Sequence, residues 1–106
     1  MSTKKETITA LLEDLAPLNV FAKPMFGEYG LYCNDIFIGL VCDDIFYLKQ
    51  ANLNDSMLKT MPLAPPYPSA KLCYQLNASS SEELSWQQQI VLDTAAALAN
   101  DAKHKK

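Results

Sequence analysis

Between Glu28 and Gln50 the chain sets runs of apolar residues against two-residue breaks, and that spacing leaves few folds open. Glu28 to Cys33 and Ile36 to Val41 flank Asn34-Asp35, and Asp43-Asp44 separates the second run from Ile45 to Gln50. Asn and Asp tolerate the positive φ that a two-residue hairpin turn demands. The block therefore predicts three consecutive antiparallel strands. Two-residue turns would place Cys33 opposite Ile36, Tyr32 opposite Phe37, Leu31 opposite Ile38, Gly30 opposite Gly39 and Tyr29 opposite Leu40. The second turn would place Val41 opposite Phe46, Leu40 opposite Tyr47 and Gly39 opposite Leu48.

That register assigns the side chains to two faces. One carries Tyr32, Phe37, Val41, Phe46 and Leu48 around the paired glycines, a bed on which helices can lie closely. The other carries Tyr29, Leu31, Cys33, Ile36, Ile38, Leu40, Ile45 and Tyr47. Since a solvated face of an antiparallel sheet alternates with polar residues, two apolar faces call for two covers. Helices of a monomer supply both, or a second copy supplies one. In the second case Leu31, Ile36, Ile38, Leu40, Ile45 and Tyr47 form a homodimer interface.

The flanks add helices. Thr3 and Glu6 have capping-box spacing, and Ile8, Leu11, Leu12 and Leu15 recur with helical period, predicting a helix from Lys4 to Ala16 that Pro17 ends. Asn19 to Lys23 reads as a short strand stopped by Pro24. Asn52 to Thr60 reads as a short helix with Leu53, Met57, Leu58 and Met61 inward. Pro62, Pro65, Pro66 and Pro68 then forbid helix or central strand and make a stiff extended connector. Ala70 to Leu76 is the last strand. Ser80 or Ser81 caps a final helix that opens with Glu82-Glu83, favourable at its positive end, and buries Leu84, Trp86, Ile90, Val91, Ala95 and Leu98. Residues 101–106 read as a disordered Lys-rich tail. The sum is one α+β domain over residues 1–100: an antiparallel sheet of about five strands, two layers, two long helices and one short one.

Composition excludes several functions. All nine basic residues of the 106 are Lys, five of them near the termini, against twelve carboxylates and a net charge of −3. A nucleic-acid-binding domain normally shows a basic stripe, and Arg is the usual bidentate reader of guanine. Direct sequence-specific DNA binding by this chain alone is not expected. Cys33, Cys42 and Cys73 are odd in number and lack C-x-x-C spacing, so neither a disulfide framework nor a zinc site is signalled, and a redox-active thiol would need exposure and a lowered pKa. The single His104 lies in the Lys-rich tail, away from any Ser or Cys it could activate, and the glycines precede strand rather than helix, so no phosphate loop is present. No enzyme activity, cofactor or metal is expected. The chain has no apolar run of membrane-spanning length and no signal-like start, which predicts a cytoplasmic protein.

Met25-Phe26-Gly27-Glu28-Tyr29-Gly30-Leu31-Tyr32 is not explained by core periodicity. Its two glycines allow positive φ or close approach, and its Met and aromatic residues supply adaptable contact area. Together with Phe46-Tyr47-Leu48-Lys49, Tyr74-Gln75-Leu76 and Trp86, it resembles the N-terminal domain of the TfoX/Sxy family of bacterial competence regulators, over about Leu11 to Leu98. The layout also resembles YjbR-like and secretion-chaperone-like binding scaffolds. The proline-rich stretch departs from the family, and the C-terminal domain of longer members is not expected to contribute within these 106 residues. The resemblance implies a non-enzymatic positive regulator of DNA-uptake genes that contacts a protein partner, the cyclic-AMP receptor protein or RNA polymerase. The contact ridge it points to is Met25, Phe26, Gly27, Glu28, Tyr29, Gly30 and Tyr32, with Lys49 as the nearest charge. A small dimeric adaptor or chaperone-like module with no promoter role is the alternative.

Overall fold

The computed structural model describes the backbone of residues 3–25, 27–76 and 81–104, with the side chains of all of these except 81 and 101–104. Two tight turns organise its centre. Asn34 and Asp35 have φ of 52° and 66°, and Asp43 and Asp44 have φ of 52° and 64°. Paired positive φ values are those of type I′ turns, whose twist matches that of the strands they join. They link β2 (Glu28–Cys33), β3 (Ile36–Cys42) and β4 (Ile45–Leu48) as an antiparallel meander.

β1 (Val20–Met25) pairs with β2, Met25 faces Glu28, and Gly27 between them takes a φ of 80°. This strand runs through Pro24 instead of stopping before it. It lies at the sheet edge, where a residue without an N–H need leave no ladder bond unmade. β6 (Cys73–Leu76) pairs with β4, and β5 (Leu63–Ala64) forms the other edge, giving the order β1-β2-β3-β4-β6-β5 with every pair antiparallel. The sheet thus has six strands instead of about five. The additional one fits between Pro62 and Pro65 because it too is an edge.

Helices α1 (Lys5–Asp14) and α2 (Ser81–His104) lie on one face of the sheet. Ile8 and Leu15 from the α1 region and Ile90, Val91 and Ala95 from α2 form a single core with Leu31, Cys33, Ile38, Val41, Phe46, Leu48 and Leu76. The last helix continues to His104 where the sequence predicts a disordered tail from residue 101; Lys105, Lys106 and the predicted cap Ser80 lie outside the described residues. The short helix expected over Asn52 to Thr60 is only a 3-10 turn, Leu58–Thr60. Leu58 is buried and Leu53 and Met61 pack on the core, whereas Met57 is exposed.

A β-bulge reassigns the faces predicted from the sequence. Cys33 pairs with Ile36 and Tyr32 with Phe37, but Leu31 then faces Gly39, Gly30 faces Leu40 and Tyr29 faces Val41. Ile38 is the additional residue. Its carbonyl accepts from Lys49 N at 2.8 Å, so the irregularity leaves no orphan there. Gly39 comes so near β4 that a Cβ would meet the carbonyl oxygen of Tyr47 and sit 3.2 Å from Leu48 Cα. Beyond the bulge the alternation is inverted. Ile36, Ile38, Val41, Phe46 and Leu48 face the helices, while Tyr32, Phe37, Leu40, Cys42 and Tyr47 face away. The predicted bed of facing glycines does not exist. Leu31 and Ile38 are 0% exposed inside the chain's own core and the partly buried Ile36 packs against it, so these three lie on the helix side and not on the open face.

Hydrogen bonds from distant segments fix the helices. Asp44 Oδ1 accepts from Lys4 N at 2.9 Å and Thr7 Oγ1 at 2.8 Å, so a residue of the β3–β4 turn caps α1. Thr3, the predicted cap, instead donates to Glu28 Oε1 at 2.6 Å and accepts from Asp44 N at 3.2 Å. At the far end of α1, Gln88 of α2 donates to the Asp14 carbonyl at 2.6 Å. Asp55 Oδ1 accepts from Leu58 N at 2.8 Å and from Trp86 Nε1 at 3.1 Å, joining the loop after β4 to α2.

Candidate functional site

The face away from the helices carries a cross-strand row of rings. Phe21 of β1 stacks on Tyr32 of β2, centroids 5.0 Å apart and planes within 4°, and Tyr32 meets Phe37 of β3 at 5.3 Å with a 48° tilt. Lys49 Nζ lies 5.2 Å from the Phe37 centroid and extends the row with a cation. Both junctions are directly paired positions, where side chains approach closest.

Beside this row the face is hollowed into a trough of about 660 Å³. Tyr32, Phe37, Leu40 and Cys42 form its floor, with Met25 of the edge strand on one side. Opposite stands the loop Pro66-Tyr67-Pro68, so the predicted stiff connector is a wall. The loop is held at its base by the β5–β6 pairing, by Gln75 N donating to the Pro62 carbonyl at 2.9 Å and by Ala70 N donating to the Tyr67 carbonyl at 3.1 Å. Gly30 keeps the space near Met25 and Phe37 open: an added Cβ would lie 2.8 Å from Met25 Cε and 3.1 Å from Phe37 Cε1.

One end of the trough is acidic. Glu28 and Asp43 are its charged lining residues, and Asp43 N donates to Glu28 Oε1 at 3.2 Å. Cys42 lies beside them; burial pushes its thiol up from the ordinary value, and the Glu28 charge adds to this. Burial likewise raises Cys33 and Cys73. All three are free, buried thiols whose environments suppress the thiolate. Among the described residues no group of three or more His, Cys, Asp and Glu side chains is placed to hold a metal ion. No helix among them is long and apolar enough to cross a membrane.

The structure gathers only part of the ridge expected from the sequence. Met25, Glu28 and Tyr32 line the trough, Gly30 lies under its rim residues, and Lys49 caps the ring row. Tyr29 points to the opposite face and packs on the core, because adjacent strand residues alternate. Gly27 is exposed in its turn, and Phe26 lies outside the described residues. Of the interface predicted for a second copy, Leu40, Ile45 and Tyr47 are on the open face. Sequence reasoning did not place Phe21, Phe37, Cys42, Asp43 and the proline loop together; the proline run was the visible signal.

Comparison with known proteins agrees with this architecture. The TfoX N-terminal domain model matches residues 10–102, nearly the whole chain. A relative from Spirochaeta aurantia, described as an uncharacterized 12.7 kDa protein in the trpE 5′ region, is 31% identical over 99 residues, covering 92% of this chain and 85% of the relative. The chain therefore belongs to the TfoX N-terminal domain family.

Proposed function

We propose that this chain is a non-enzymatic regulatory module that works by protein–protein contact through its open sheet face. Membership in the TfoX N-terminal domain family suggests a competence-related regulatory domain. The single observation that carries the contact reading is the face itself: Phe21 is 41% and Tyr67 55% exposed, flanking a ring row and an apolar trough that neither helix covers. Apolar and aromatic surface of this kind, with acidic residues at its rim, marks interaction sites in soluble proteins. The lining holds a thiol but no His, Lys or Ser beside it, which favours binding over nucleophilic chemistry. On the family resemblance the partner is the cyclic-AMP receptor protein or RNA polymerase, and the outcome is positive regulation of DNA-uptake genes.

The test is affinity capture from competent cells with the tagged chain and a Phe21→Ser, Tyr67→Ser variant. Both positions are exposed, so the variant keeps its core. Recovery of either named partner with the natural chain and its loss with the variant supports the proposal. Equal recovery with both, or recovery of neither partner, overturns it. A second reading, a homodimeric adaptor that buries the same face, draws on the apolar Leu40, Ile45 and Tyr47 there. Sedimentation at micromolar concentration separates the two: a stable dimer that the variant dissociates favours the adaptor.

A further inference from the structure

We infer that the trough is a binding site for a small organic cation with an aromatic or aliphatic body, which would make the module ligand-responsive. Its size comes first. A volume of about 660 Å³ is that of a site for a single small ligand, since such pockets span roughly 300–1,000 Å³. A flat protein surface would bridge from Phe21 to Tyr67 and leave this space empty. Its walls suit an apolar body: Leu40 and Phe37 below, Met25, with an adaptable side chain, on one side and prolines on the other.

Charge then selects the head group. The charged residues lining the trough are Glu28 and Asp43, and both stand at the end of β3 away from Phe37. Neither has an ion-pair partner among the described residues. Glu28 Oε1 accepts from Thr3 and from Asp43 N, leaving its second oxygen without a described donor, and no described group donates to the Asp43 carboxylate. Lys49 is held over the Phe37 ring at the other end, and Lys23, exposed on β1 on the same face, is not a lining residue and makes no ion pair with Glu28 or Asp43. A ligand ammonium therefore finds carboxylates at one end only, with its body lying back over Leu40. An anionic ligand of the same shape is repelled there, and a neutral hydroxyl can donate to a carboxylate but brings no opposite charge. The inference does not depend on which protein the exposed rim contacts.

The test titrates three isosteric probes into the full chain, 2-naphthylmethylamine, 2-naphthylmethanol and 2-naphthoate, followed by backbone amide resonances. The amine should move the amides of Leu40, Cys42 and Tyr67 and bind about tenfold more tightly than the alcohol, as the attraction between its positive charge and the carboxylates supplies. Glu28→Gln with Asp43→Asn should reduce that preference to about twofold or less while alcohol binding is retained. Asn tolerates the φ of 52° at position 43, and Gln keeps an acceptor for Thr3, so folding is preserved and circular dichroism checks it. Equal binding of amine and alcohol, shifts elsewhere on the chain, or no binding by any probe overturns the inference. So does a Leu40 resonance that changes with protein concentration while every probe fails, since a second copy then fills the trough.

Discussion

Replacing Gly39 by Ala puts a methyl group where the Tyr47 carbonyl oxygen and the Leu48 backbone already lie, so β3 and β4 must separate at this pair. Backbone atoms cannot rotate aside as a side chain does. Overpacking of this kind costs about 1–3 kcal/mol. Stretching one or two ladder hydrogen bonds adds about 0.5–1.5 kcal/mol each. The lower entropy of Ala in the unfolded chain returns about 0.4–1 kcal/mol. The net loss is about 2–4 kcal/mol, a large part of the roughly 5–15 kcal/mol that holds a typical domain. Gly30→Ala is the control. Its methyl meets the far end of Met25, a flexible side chain at the rim of the trough, which can swing aside, and lies 3.1 Å from Phe37 Cε1, which a shift of a few tenths of an ångström in that partly exposed ring relieves. Its cost stays within about 1 kcal/mol, offset by the same entropy gain. Urea unfolding of both variants, followed by circular dichroism, measures the difference. A Gly39→Ala loss below about 1 kcal/mol, or a Gly30→Ala loss exceeding it, refutes the close approach of Gly39 to β4 as the constraint on this position.

Three further outcomes are expected. Asp55→Ala removes the shared acceptor of Leu58 N and Trp86 Nε1, should cost about 2 kcal/mol, and should shift the emission of the chain's one tryptophan in the native state. Asp44 is held below its ordinary value by the Lys4 backbone N–H and then by the Thr7 hydroxyl. A carboxyl lowered in the folded state stabilises it above the unfolded pKa, and that contribution fades as pH falls through the folded value. Stability of the natural chain should thus exceed that of Asp44→Asn near neutral pH, with the gap closing below about pH 4; a gap unchanged down to pH 2 argues against the trans cap. Finally, Cys33, Cys42 and Cys73 should resist iodoacetamide at pH 7.5 in the native protein and react readily in denaturant, read by mass spectrometry. Fast native labelling of Cys42 or Cys73 would favour a thiol sensor instead.

What could be read from the sequence was local. Asn34-Asp35 and Asp43-Asp44 signalled their turns because positive φ is a property of residue type, and β2 to β4 fell between them with small differences at the ends. Trp86 and Ile90 announced the buried stripe of α2 by spacing alone. The bulge at Ile38 was not legible, since it is a register shift between β2 and β3 that the two-residue turns do not specify. One inserted residue exchanged the faces of half a strand and with them the interface expected at Leu31, Ile36 and Ile38. A lone Gly inside a strand is the available warning of such a bulge. The cap on α1 failed for a similar reason: Asp44, distant in sequence, outcompetes the local Thr3 pairing. The trough needed the proline loop folded over the sheet, which residue spacing does not encode.

The central claim is that the open sheet face, not the helical layer, is the working surface. A photo-crosslinking amino acid placed in cells at Tyr67, on the trough wall, and separately at Thr9, exposed on α1, tests it most directly. The account predicts a discrete protein adduct from position 67 and none from position 9. Adducts from position 9 alone, or from neither, would contradict it.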